Sequence, residues 1–79
     1  MLGMVKKTEL REFLHAVDSC SDEVWYCNES GDRLALKSEL NKIMFLAMVT
    51  GAGEKTPEEY FIECSDADRM KLAGFTELR

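Results

Sequence analysis

Two strand-like runs, VWYCN at residues 24–28 and RLALK at residues 33–37, stand four residues apart, separated only by Glu29-Ser30-Gly31-Asp32. A parallel pair needs a crossover of a dozen or more residues, so these two can pair only as an antiparallel hairpin. The first run is rich in β-branched and aromatic side chains, the second alternates, and Ser30-Gly31 is a turn signal. Leu34 and Leu36 must share one face of the second strand, while Trp25 and Cys27 oppose Val24 and Tyr26 on the first. One of those two pairs is expected outside the core.

Helical spacing surrounds the hairpin. Leu10, Phe13, Leu14 and Val17 follow an i, i+3, i+4, i+7 pattern after Thr8, which predicts a helix from about Thr8 to Ser19 capped by Thr8. Leu40, Ile43, Met44 and Ala47 predict a second helix from about Glu39 to Val49 with that stripe turned inward, ended by TGAGEKTP. EEYFIEC reads as a third strand, and SDADRMKLAGF as a short helix capped by Ser65 or Asp66, with Gly74 near its end. Met1 to Val5 offers at most a short edge strand, because Gly3 interrupts it. The order helix, strand, strand, helix, strand, helix predicts an α+β fold, an open-faced two-layer sandwich with helices on one face of a mainly antiparallel sheet.

Composition narrows the function. Seventy-nine residues make one domain, 1–79, with residues 1–7 a short or disordered N-terminal segment. Fifteen acidic against ten basic side chains give a net charge of -5, which makes nucleic acid a poor partner. The apolar run from Ile43 to Val49 is too short to cross a bilayer and the N-terminus does not resemble a signal sequence, so a cytoplasmic protein is expected. Cys20, Cys27 and Cys64 have neither disulfide nor zinc spacing, and His15 is the sole histidine, so no metal or other cofactor is expected. TGAGEKT lacks the spacing and the preceding strand of a phosphate loop. Glu58, Glu59 and Glu63 read as a solvated face, and Lys6, Lys7 and Arg11 as a small basic patch, either an intrachain counterweight or a docking contact.

Three segments in this order, Leu10 to Ser21, GDRLALKSEL and FIECSDADRMKLAGF, are similar to the first helix, the region around the regulatory serine, and the last strand and helix of the HPr family. These are the small histidine phosphocarrier proteins of the bacterial sugar phosphotransferase system, and the resemblance covers about Thr8 to Leu78. It implies the open-faced sandwich, with the first strand absent or very short and an open sheet edge as a result. It also implies protein partners, either phosphotransferase components or a transcriptional regulator. The family's active histidine opens the first helix in a His-Ala-Arg-Pro context; here the matching positions fall near Lys6 and Lys7. His15-Ala16 is followed by Val17-Asp18, and His15 lies several residues too close to Ser38. A divergent, non-catalytic member is therefore implied.

Ser38 corresponds to the serine that a kinase modifies in some members. Its position also suits a plain N-cap, since a serine oxygen accepts a hydrogen bond from the free amides of a first helical turn. Those amides equally favour a phosphate, but Glu39, where the family has an apolar residue, opposes one. Lys37, Ser38, Leu40, Ile43 and Phe45 are the expected partner-binding surface. Two alternatives stand beside this reading: a working phosphocarrier using His15, and a homodimeric module that pairs through the open sheet edge.

Overall fold

The computed structural model describes residues 2–50 and 59–77. A 3-10 turn, Lys7–Glu9, leads into helix α1, Leu10–Asp18. Thr8 lies inside that turn and caps nothing: neither helical start has a side-chain cap. The hairpin is strands β1, Trp25–Asn28, and β2, Arg33–Ala35. Gly31 turns it at φ +90°, a conformation that a Cβ disfavours. Asn28 grips the turn, its Oδ1 accepting from the Asp32 amide at 3.0 Å and its carbonyl accepting from the Gly31 amide at 3.1 Å. Helix α2 spans Glu39–Val49, strand β3 Tyr60–Glu63, and helix α3 Asp66–Leu72, followed by a 3-10 turn at Ala73–Phe75. Ser65 caps α3, its side chain accepting from the Asp68 amide. The expected loop through Gly51, Gly53 and Pro57, and Glu58, lie outside the described residues.

The three strands form one antiparallel sheet in the order β2-β1-β3. Tyr26 stands opposite Leu34 on one side and Ile62 on the other, which aligns their side chains on one face. That face, with Val24 and Leu36, joins Phe13 and Val17 of α1, Phe45 and Val49 of α2 and Leu72 of α3 in a single core. The architecture is α+β, with helices covering one face of an antiparallel sheet.

Residues 2–6 belong to this fold. Leu2 and Ile62 exchange backbone hydrogen bonds of 2.8 and 2.9 Å along the outer edge of β3, and Val5 pairs antiparallel with Thr76. Leu2 and Val5 are buried. This corrects the expected bare edge on that side: a single residue, not a full strand, suffices to occupy the β3 backbone groups at Ile62. The edge of β2 faces no strand among the described residues.

The other sheet face carries Trp25 and Cys27, neither of which joins the core cluster, although Cys27 is itself buried. Arg33 lies 4.5 Å above the Trp25 ring and 3.4 Å from Glu63, and the Cys27 thiol donates to Glu63 at 3.1 Å. Glu63, read as part of a solvated face, is thereby the centre of a small polar cover.

Candidate functional site

Helix α2 presents different faces from those its sequence suggests. Lys42, Phe45 and Val49 point inward, and Phe45 is fully enclosed among Phe13, Tyr26 and Tyr60 with ring centroids 5.8–5.9 Å away. Leu40 and Ile43, expected in the buried stripe, are 66% and 65% exposed, and Met44, Ala47 and Met48 lie on the same outer face. The inward stripe and the inclusion of Phe45 in the partner surface are both corrected here. The physical reason is bulk: the core next to Tyr26 and Tyr60 accepts an aromatic ring, and seating Phe45 there turns the aliphatic stripe through roughly half a turn toward water.

Lys42 fixes that rotation. Its ammonium donates to Asp18 of α1 at 2.6 Å and to Glu39 at 3.1 Å, while its stem is buried. The Asp18 hydrogen bond holds the lysine above its ordinary pKa, against the opposing effect of burial. A lysine on the inward face of a helix reads in sequence as a solvated position, so only its i, i-3 relation to Glu39 hints at the pair.

At the start of α2, Ser38 is exposed and its side chain accepts from the Asn41 amide at 3.3 Å. The Asn41 side chain ties the same turn to the Ala35 carbonyl at 3.1 Å. Lys37 is half-buried: its backbone N–H donates to Glu23 at 3.1 Å and its ammonium to the Cys20 carbonyl at 2.6 Å, so its charge is engaged within the chain. Of the five residues expected to form a partner surface, Ser38, Leu40 and Ile43 come together on the outside. Met44 and Met48 complete the face, having been assigned in sequence to the core or left unassigned.

His15 is exposed and lies in the last turn of α1. The backbone charge there is that of free carbonyls rather than of free amides, the wrong sign for a phosphoryl group. Lys6, near the position where the resemblance puts the active histidine, donates to the Gly74 carbonyl at 3.4 Å and sits 3.9 Å from Glu9. Burial raises the pKa of all three thiols, with nearby acids adding to the effect, so none is activated as a nucleophile. Among the described residues no cluster of histidine, cysteine and carboxylate side chains could hold a metal ion, and no helix is long and apolar enough to cross a membrane.

Compared with known protein families, curated proteins and solved structures, the chain matches none.

Proposed function

We propose that the chain is a non-catalytic binding or regulatory domain, HPr-like in kind and related to the sugar phosphotransferase system, which meets protein partners through the outer face of α2 beside Ser38. The observation that carries this reading is the row Leu40, Ile43, Met44 and Met48, four large apolar side chains turned to water on one rigid helix. Contiguous exposed apolar surface of this kind marks interaction sites far more often than scattered exposed residues do. Methionine strengthens the case, because its flexible thioether adapts to a partner's surface. The layering of helices on one face of an antiparallel sheet is the arrangement that the resemblance implies. Ser38, exposed at the edge of the same surface, is the proposed point of regulation, since a phosphate there alters the charge that an approaching partner meets.

Two measurements test the reading. Incubation with phosphoenolpyruvate, enzyme I and labelled phosphate is expected to leave His15 unlabelled; acid-labile label on it makes the chain a carrier and ends the non-catalytic reading. In ¹⁵N spectra, titration with a phosphotransferase component is expected to move the amide signals of Leu40, Ile43 and Met44. Shifts confined to other elements count against α2 as the contact.

A further inference from the structure

The outer face of α2 is apolar, but its surroundings are not neutral, and their charge selects among occupants. Hydrogen bonds at the start of α2 join the Lys42 ammonium to Asp18 and Glu39, the Glu23 carboxylate to the Lys37 backbone N–H, and the Lys37 ammonium to the Cys20 carbonyl. Both cations are turned inward: Lys42 is buried, and the Lys37 ammonium is bonded to the Cys20 carbonyl. The acids are not. Glu39 is 86% exposed and Asp18 51% exposed at their side chains. At its other end α2 has no basic residue in the last turn, so its C-terminal carbonyls lack a compensating cation within the helix. An approaching molecule therefore meets an apolar strip with the exposed Glu39 carboxylate at its start and helix carbonyls without a basic neighbour in the last turn at its end, on a chain of net charge -5.

Area argues in the same direction. Eleven residues of α2 make a strip about 16 Å long and roughly 10 Å wide, a few hundred Å² at most. A standard interface buries about 800 Å² on each partner, so a stable dimer of this chain built on that strip alone falls short. Two copies also bring like charge to like charge. One amphipathic helix laid along the strip needs no larger footprint, and basic side chains flanking its apolar face complement the rim.

We infer that the partner of α2 is an amphipathic helix whose apolar face is flanked by lysine or arginine. The inference rests on the proposed reading of α2 as a docking surface and names the chemistry of what docks there. The test uses two synthetic helical peptides with one common leucine and methionine face, one flanked by lysine and the other by glutamate, titrated into the ¹⁵N-labelled full chain. The lysine peptide is expected to shift the amide signals of Leu40, Ile43, Met44, Ala47 and Met48. It is expected to bind about tenfold more tightly than the glutamate peptide at low salt, with the difference shrinking toward 0.5 M salt. Glu39→Gln narrows that difference, and Ile43→Ser weakens both peptides alike. Equal affinities, or a preference for the glutamate peptide, overturn the charge inference while α2 remains the contact. No shift on α2 with either peptide ends both the inference and the reading beneath it. Concentration-dependent sedimentation as a dimer, with the same α2 signals shifting on dilution, makes a second copy the occupant and overturns the basic helix.

Discussion

Asp68 ties three segments together through one fully buried carboxylate. One oxygen accepts from the Ser21 amide at 2.8 Å, and the other from the Asp22 amide at 2.9 Å and the Ser65 hydroxyl at 3.0 Å, with Lys71 at 3.7 Å. The two backbone hydrogen bonds are the main reason its pKa lies below the ordinary 3.8. A depressed folded-state value means that the stabilisation is complete above the unfolded value and is lost as pH falls below about 3.8 toward the folded one. Asp68→Asn keeps one acceptor but sets an amide NH₂ against a backbone donor. It is expected to lower stability at neutral pH, to flatten the acid limb of the stability curve, and to speed hydrogen exchange at Ser21 and Asp22; unchanged exchange at those two amides contradicts the assignment. Ser38→Ala removes a cap and is expected to lower unfolding free energy by about 0.5–2 kcal/mol, read from the urea midpoint. The sequence reveals the cap at Ser38 and narrows that of α3 to Ser65 or Asp66, because such caps need only their own next turn, whereas the cap expected at Thr8 does not form. It cannot reveal the hold of Asp68 on Ser21 and Asp22, since the partners are backbone groups more than forty positions away and carry no residue-type signal.

Among the elements, α2 shows most clearly where periodicity stops being informative. Its span, its cap and both flanking strands follow from the sequence, and so does the hairpin, because turn chemistry and helical spacing are local. Its facing does not follow. Apolar side chains occur nearly all round α2, so two stripes compete for the core, and the choice depends on whether Phe45 or Ile43 better fills the space beside Tyr26 and Tyr60. The same ambiguity hid most of the candidate site, which consists of the stripe that lost. Stability measurements separate the two arrangements. Phe45→Ala is expected to cost about 3–5 kcal/mol by opening a cavity among aromatic rings. Ile43→Ser, on the outer face, is expected to stay within about 0.5 kcal/mol of the parent. Denaturant midpoints in the opposite order place Ile43 in the core and remove the surface on which the proposed function depends.

For the molecule as a whole, the two ends of the described chain are stitched to each other and to the sheet. The Lys6 amide donates to the Phe75 carbonyl at 2.8 Å, the Glu77 amide to the Met4 carbonyl at 2.7 Å, and Leu2 closes the outer edge of β3. Short apolar residues around Gly3 gave little sign of this, because the pairing is set by what β3 and the C-terminal segment leave open. The Tyr60 hydroxyl, accepting from the Val5 amide at 3.0 Å inside the core, links this seam to the stacked rings of Tyr26 and Tyr60. Removing it with Tyr60→Phe leaves a buried N–H without that acceptor, at an expected cost of about 1–3 kcal/mol. Because the ring remains, the aromatic cluster stays filled and the loss falls on the seam. Hydrogen exchange is expected to quicken at Val5, Lys6 and Glu77 while Tyr26 and Leu34 in the hairpin keep their protection. Uniform quickening instead makes the seam part of the global unfolding unit. Unchanged exchange at Val5 shows that the phenol is not its partner and that the N-terminal segment is held by its backbone pairing with Ile62, Phe75 and Glu77.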